Sequence, residues 1–289
     1  MPKSIVHTNQ YSTEHTLVNG TVGPVLDITA QQTRPRLLNA STARSYSFGL
    51  SNDRPFTMIA SDGGLLDRPT HPPRLLLTPG ERAEILVSMR PNETMTLRAY
   101  PQNLGLSQRV SHKTGAKDTL DILRLHAGEH LTSSPAVPVQ LAAISGLETS
   151  VIKHTREFEL GNNSINGKTV DMQWIDEVVT VDTTEMWDIW NAHKMPHNFH
   201  IHDVQFQILD IGGQEPPPEL SGWKDTVYVP PEVHLRLMLR LSDYTDTDTP
   251  YMYHCHLLWH EDQGMMGQFV VVEPGQQLNP SDQNHEQHQ

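Results

Sequence analysis

Cysteine is almost absent from this 289-residue chain, which contains only Cys255. A single cysteine excludes an intrachain disulfide and leaves three interpretations: a buried apolar residue, a reactive thiol or a metal ligand. The stretch from 251 to 269, YMYHCHLLWHEDQGMMGQF, places this cysteine between two histidines. That setting makes the local pattern of histidines the first feature to explain.

Positive charge and long apolar runs are also scarce. The chain has 21 Lys and Arg against 34 Asp and Glu, a formal net charge of −13, and no basic block. Nucleic acids and anionic membranes require a positive surface, so neither is expected as a partner. No stretch approaches the roughly 20 apolar residues of a membrane helix, and the first residues lack the pattern of a secretion signal. The sequence as written predicts a cytoplasmic protein, or an exported one if a leader precedes it.

Strong helical periodicity is missing as well. Short runs of alternating apolar and polar residues are broken by Gly, Pro, Asn and Asp about every ten residues, which is typical of an antiparallel sandwich or barrel. The length suits two domains. Residues 127–150 are rich in Ser, Pro and Ala and predict a linker. We therefore expect an all-β protein with domains at 1–126 and 151–274, a linker at 127–150 and a disordered tail at 275–289.

Histidines gather in two motifs of the second domain. MPHNFHIH contains His200 and His202, and HCHLLWHEDQGM contains His254 and His256 on either side of Cys255. Successive side chains of a strand point to opposite faces, so each HxH pair shares one face and Cys255 points to the other. The thiol and its flanking imidazoles are therefore predicted to serve two separate sites.

The partners available to Cys255 are His197, His260 and Met265, with Met266 as an alternative to Met265. Two imidazoles, one thiolate and a distant thioether are characteristic of a blue-copper centre, whereas a structural zinc site is expected to use more cysteines. The peptide links from Cys255 to its neighbouring histidines would give electrons a short bonded route between the two sites.

On the other face, four histidines predict a nitrogen-only cluster suited to further copper ions: His200, His202, His254 and His256. The other histidines, His193 among them, have no matching partner in the sequence and are interpreted as solvated or hydrogen-bonded.

These motifs resemble those of the multicopper oxidases. MPHNFHIHDVQF, YHCHLLWHEDQGMMGQF and the intervening SGWKDTVYV look like the C-terminal copper-binding domain of that family. TLVNGTVGPVLDI, RLLNASTARSYSFGL, MIASDGGLL and LLLTPGERAEILV resemble its copper-free middle domain. The resemblance spans about residues 11–274 and implies two cupredoxin-like Greek-key β-sandwiches.

The resemblance also implies a role for each residue. The type 1 copper would be held by Cys255, His197, His260 and Met265, the type 2 copper by His200, and the type 3 pair by His202, His254 and His256. Electrons would enter from a small-molecule or metal-ion donor by way of His260 and pass through Cys255 to a cluster that reduces dioxygen to water. Glu261 would help to deliver protons, or would be a surface carboxylate.

One part of the family pattern is not matched. No HxH motif occurs before residue 200, so the N-terminal domain and the cluster histidines that it supplies are expected to be missing, and this chain alone is not expected to reduce dioxygen efficiently. The alternatives are a fragment or split-gene product completed by a separate chain, a stand-alone blue-copper electron carrier or copper-binding protein, and a non-catalytic scaffold. Phenols, aromatic amines, bilirubin-like pigments and metal ions all stay open as substrates.

Overall fold

The computed structural model describes residues 16–276. These residues fall into two compact units that divide between Ile144 and Ser145. The division lies inside the predicted linker. Most of the predicted tail, residues 277–289, lies outside the described residues. Among the described helices, none has the length and apolar character needed to cross a membrane.

The described part of the first unit consists of twelve strands and one short helix. In chain order these are β1 Leu17–Val18, β2 Thr21–Val22, β3 Val25–Ala30, β4 Gln32–Thr33, β5 Arg36–Leu38, β6 Tyr46–Leu50, β7 Thr57–Ser61, β8 Gly64–Thr70, β9 Leu75–Leu77, β10 Arg82–Ser88, β11 Thr94–Tyr100, α1 Gln108–Lys113 and β12 Leu120–Thr132.

Two five-stranded sheets make up most of this unit. One has the order β4-β10-β7-β8 with β5 paired to β10, and the other has the order β3-β12-β11-β6-β9. One apolar cluster contains residues of both sheets, such as Met58 and Ile85 from the first and Phe48 and Leu97 from the second. A shared core between two sheets defines a β-sandwich, as the alternating pattern predicts.

Two details differ from the sequence prediction. Strand β12 continues through Thr132, so residues 127–132 belong to a strand and the predicted start of the linker at 127 is wrong. Its last residues pair in parallel with β3, as in the match of Ala127 with Ile28. Parallel pairing also joins β13 to β15 and β14 to β21 in the second unit. Alternation of side chains shows which face of a strand is buried but carries no information on the direction of its neighbours. The sequence pattern therefore predicted an antiparallel sandwich or barrel and gave no sign of the parallel pairs.

As far as residue 276, the second unit contains nine strands, one α-helix and two short 3₁₀ helices. In chain order these are a 3₁₀ helix Thr149–Val151, β13 Ile152–Leu160, β14 Glu177–Thr180, β15 Thr184–Asn191, β16 His197–Ile201, β17 Phe206–Ile211, a 3₁₀ helix Pro218–Leu220, β18 Thr226–Val229, β19 His234–Arg240, β20 Asp246–His254, α2 Leu258–Asp262 and β21 Met266–Val272.

These strands again form two sheets, with the orders β13-β15-β19-β17 and β14-β21-β20-β16-β18. Aromatic rings fill the space between them: Trp187 of the first sheet lies 5.8 Å, centroid to centroid, from both Tyr253 and Phe269 of the second. Phe158 contacts Tyr253 at 4.8 Å. Such a core, in which each ring packs against several others, holds β20 and its continuation in a fixed position.

A buried charged group supports the same core. Glu185 is fully buried and accepts hydrogen bonds from Arg156 at 2.7 and 3.0 Å and from the indole N–H of Trp187 at 2.9 Å. Arg156 also pairs with Glu177 of the opposite sheet. Because a buried carboxylate is tolerated only when its hydrogen-bonding capacity is met, this group fixes the position of Trp187.

Candidate metal centre

Two neighbouring strands carry the candidate ligands. In the antiparallel pairing of β16 with β20, His200 lies opposite His254. Strand β20 ends at His254, and the chain then turns into α2, which returns His260 toward the sheet. The sequence predicted both motifs on strands; the structure places the second motif at a strand end and in the short helix that follows.

The first group of possible ligands consists of His197, Cys255 and His260, all buried, with one ligand atom of each within 4.8 Å of the others. The Sγ of Cys255 lies 3.6 Å from Nδ1 of His197 and 3.4 Å from Nδ1 of His260. Two imidazole nitrogens thus face one sulfur. This arrangement could hold a metal ion that accepts one soft and two nitrogen ligands.

Two methionines are candidates for a further sulfur ligand beside this group. Met266 pairs with His254 across the strands, and cross-strand partners point to the same side of a sheet. Met265 directly precedes this strand and is fully buried, whereas Met266 is only partly buried. The carbonyl of Met265 accepts a hydrogen bond from the Cys255 N–H at 3.1 Å. This register favours Met265 over Met266.

Burial keeps the members of this group uncharged when no metal is bound. It raises the pKa of the Cys255 thiol to about 12, against the weaker lowering effect of backbone N–H groups of Asn198 and Leu257 that bond to the sulfur. It lowers the pKa of His260 to about 4, and that of His197 well below its usual value. Neutral imidazoles have free lone pairs, and a cation offsets the cost of forming the thiolate.

The second group is His200, His202 and His254, again with ligand atoms within 4.8 Å of one another. The Nε2 atoms of His202 and His254 are 3.2 Å apart. The ring of His256 borders the group, 5.5 Å from His200 and 5.4 Å from His254 between centroids. The four predicted histidines therefore lie together, on a site distinct from that of Cys255.

Neighbouring groups orient the imidazole of His200 but leave that of His254 without a hydrogen bond at Nδ1 to any described residue. The Nδ1 of His200 lies 2.9 Å from the carbonyl oxygen of Asp225 and 2.9 Å from the hydroxyl of Thr226. An Nδ1–H that donates to a carbonyl leaves Nε2 free for a metal. The Nδ1 of His254 has no hydrogen-bond partner among the described residues, although a carboxylate oxygen of Glu261 is 3.5 Å away.

Burial and the adjacent imidazoles favour the neutral form of two members of this group. They lower the pKa of His254 to about 3 and that of His202 to a lesser extent. A cavity of about 330 Å³ opens on one side of the cluster, lined by His200, His202, Asp203 and Asp225 among others. The histidine group is thus accessible from outside the unit, whereas the Cys255 group is buried.

One neighbour of the site was missed from sequence. The Nδ1 of His193 lies 3.4 Å from the Nε2 of His197, and the two ring centroids are 5.6 Å apart. The spacing of four residues to His197 was the available signal. It was not informative because His193 precedes β16, where strand alternation does not apply.

Comparisons with known proteins place this site within a known family. Residues 136–275, which contain every candidate ligand, match the family described as multicopper oxidase. The cell division protein FtsP of Yersinia pestis is 34% identical over 263 residues, which are 89% of this chain and 54% of that protein. The multicopper oxidase mco of Staphylococcus haemolyticus is 32% identical over 89% of this chain and 52% of its own length.

Solved structures show the same fold. The crystal structure of a laccase from Pediococcus acidilactici superimposes with a TM-score of 0.79 at 32% identity, over 92% of this chain and 56% of the laccase chain. The chain thus spans about half the length of the relatives it matches.

Proposed function

Because the chain belongs to the multicopper oxidase family, we propose that its second unit binds copper at two sites and transfers electrons between them. One observation carries the proposal: the Sγ of a fully buried Cys255 lies within 3.6 Å of Nδ1 atoms on His197 and His260. A soft sulfur with two imidazole nitrogens and an adjacent buried methionine fits copper better than zinc, calcium or magnesium. Copper would supply one-electron chemistry at this position.

Each ligand has a distinct task in this proposal. Cys255, His197 and His260 would hold the type 1 ion, and Met265 would supply a fourth, weaker ligand. The protein excludes water from this site, since all four residues are buried. The backbone N–H groups that bond to Cys255 stabilise the thiolate and adjust the reduction potential of the ion.

The histidine group is proposed to receive the electrons that pass through the Cys255 group. His200 is assigned to a type 2 ion, and His202, His254 and His256 to a type 3 pair. Cys255 is covalently linked to His254 on one side and to His256 on the other, so the chain itself bridges the two groups. Glu261 lies beside His254, a position that suits holding that imidazole in place or supplying it with a proton.

Oxidation of phenolic or other aromatic donors, or of metal ions, with dioxygen as the acceptor is the activity we infer for the complete cluster. The laccase and multicopper oxidase names of the relatives support it. Dioxygen chemistry requires more imidazoles than this unit supplies, so histidines from another chain or segment would complete the cluster at its open side.

Two other functions deserve testing beside this one. The Cys255 group draws all its ligands from one unit, which favours a blue-copper electron carrier that needs no further partner. A scaffold without redox activity is the third function, and the relative named as a cell division protein is a reason to test a role other than oxidation. The three functions differ in copper content and in oxygen consumption.

Copper per chain is therefore the deciding experiment, measured on purified, copper-loaded protein together with the visible spectrum and oxygen uptake on a phenolic substrate. About one copper with an intense blue band and no oxygen uptake identifies an electron carrier. About four coppers with steady oxygen uptake identifies an oxidase whose cluster is completed between chains. Absence of bound copper and of the blue band would contradict the proposal and favour the scaffold.

A further inference from the structure

His193 lies outside both groups of proposed ligands, yet it contacts one of them. Its Nδ1 is 3.4 Å from the Nε2 of His197, a hydrogen-bonding distance for two ring nitrogens when one carries a proton. The rings are tilted by 40°, so the contact is made through nitrogens rather than through stacked faces.

The second ring nitrogen of His197 shows which of the two facing nitrogens carries the proton. Its Nδ1 faces the Cys255 sulfur at 3.6 Å, and a metal held by that sulfur takes the lone pair of Nδ1. A neutral imidazole ligand carries its proton on the second nitrogen. The Nε2 of His197 must then be the donor, and Nδ1 of His193 the acceptor.

We propose that His193 is a positioning residue for the type 1 site: it accepts the Nε2–H of His197 and thereby fixes the tautomer and ring orientation of that ligand. The inference rests on the proposed function, since the ligand role of His197 belongs to it. His193 is not one of the residues whose ligand atoms cluster around Cys255, and its Nδ1 accepts from His197 in this arrangement.

A buried amide holds His193 in place. Asn191 is fully buried, and its Oδ1 accepts the backbone N–H of His193 at 2.9 Å. The Nδ2 of Asn191 donates to the carbonyls of Met195 at 3.1 Å and Val229 at 3.0 Å. These three bonds close the turn between β15 and β16 around one side chain. The position of His193 is therefore built into the fold, unlike that of a freely rotating surface histidine.

The acceptor also changes the chemistry of the ligand. A hydrogen bond from the imidazole N–H makes the ring a stronger electron donor to a metal, and loss of such a partner typically weakens metal binding by about 10- to 100-fold. A stronger donor stabilises the more highly charged, oxidised ion. Removal of the acceptor is therefore expected to weaken Cu(II) binding and to raise the reduction potential.

Two substitutions separate hydrogen bonding from packing. His193→Leu keeps a side chain of similar bulk without an acceptor, whereas His193→Asn retains an amide oxygen close to the position of Nδ1. His154→Leu is the matched control, because His154 is exposed on β13 of the same unit and is not among the proposed ligands. The measurements are Cu(II) affinity from the visible absorption band and the reduction potential of the bound ion.

We expect His193→Leu to lower Cu(II) affinity by about 10- to 100-fold and to raise the potential, His193→Asn to restore most of both, and His154→Leu to match the unsubstituted protein. Unchanged affinity and potential in His193→Leu would overturn the inference. Equal losses in the Leu and Asn variants would also overturn it, since packing alone would then explain them.

A readout without copper keeps the inference testable if no blue band forms, which would instead count against the proposed function. Nitrogen-15 NMR of the metal-free protein reports which ring nitrogen of His197 carries the proton. We expect the Nε2–H tautomer in the unsubstituted protein and in His193→Asn, and a loss of that preference in His193→Leu. A tautomer that does not respond to either substitution would contradict the role of His193.

Discussion

His200 and His254 lie directly opposite each other in the pairing of β16 with β20, and their imidazoles meet edge to face with centroids 5.2 Å apart. Cross-strand partners share one side of a sheet. Cys255, which directly follows the last residue of β20, lies on the other side, where its sulfur faces His197. One pairing register thus creates two separate donor groups and links them covalently.

Replacement of the only thiol should abolish the first group selectively. In Cys255→Ser the sulfur ligand is lost while the side-chain volume changes little, so we expect the intense visible band of the copper-loaded protein to disappear and the fold to persist. The visible spectrum, the copper content and circular dichroism check this. An unchanged visible band would contradict the assignment of Cys255 as a ligand.

Glu261 offers a separate test of the histidine group. Its carboxylate is the charged neighbour of His254 at 3.5 Å, and we expect it to orient that ring once the ligand is metal-bound. Glu261→Gln should weaken copper binding at the histidine group by about 10-fold or more and leave the Cys255 visible band unchanged. Glu219→Gln in the second 3₁₀ helix is the control. Equal copper binding by the unsubstituted protein and both variants would show that Glu261 does not support the histidine group.

The thiol itself gives a probe of burial in the metal-free protein. Cys255 has no exposed surface and its pKa is raised to about 12 by burial, so very little thiolate exists at pH 7.5. We expect slow alkylation by iodoacetamide under native conditions and rapid alkylation in denaturant. Because the chain has one cysteine, mass spectrometry reads the extent directly. Rapid native labelling would mean that this site is open to solvent.

The site was largely predictable from sequence, for a physical reason. Alternation along a strand is a local property, so the separation of Cys255 from the HxH histidines followed from the sequence alone. The preference for Met265 over Met266 did not, because it depends on which of them pairs with His254 across two strands. The contact between His193 and His197 was also hidden, since a turn closed by the Asn191 side chain creates it.

The fold, like the site, could be predicted only in part. The two β-sandwiches followed from periodicity, and the break between the compact units lies within the predicted linker. The parallel pairing of β12 with β3 did not follow, because residues about 100 positions apart decide it. Composition also gave a wrong boundary: Ala127 and Gly128 were predicted to begin the linker, although they are part of β12.

Acid should destabilise the metal-free protein through its neutral histidines. His260 has a pKa of about 4 in the folded state and about 6.5 when unfolded. Between pH 4 and pH 6.5 the unfolded chain binds a proton at this residue that the folded protein does not. The free energy of unfolding is therefore highest above pH 6.5 and falls as the pH decreases toward 4, by roughly 3 kcal/mol for this residue. Thermal unfolding against pH measures the effect. His260→Gln should flatten the curve, and the control His154→Gln should not.

Close packing behind the histidine group leads to the last prediction. A Cβ at Gly267 would overlap the ring of Tyr253, which is buried among Phe158, Trp187 and Phe199 and cannot move aside freely. Overpacking of this kind typically costs about 1–3 kcal/mol, so Gly267→Ala should lower the thermal midpoint and, by displacing the residue before His254, weaken copper binding. Gly146→Ala is the matched control, because a Cβ there meets no atom within 4 Å. Equal stability and copper binding in the two variants would show that the Tyr253 ring has room to shift and that the ligand position does not depend on it.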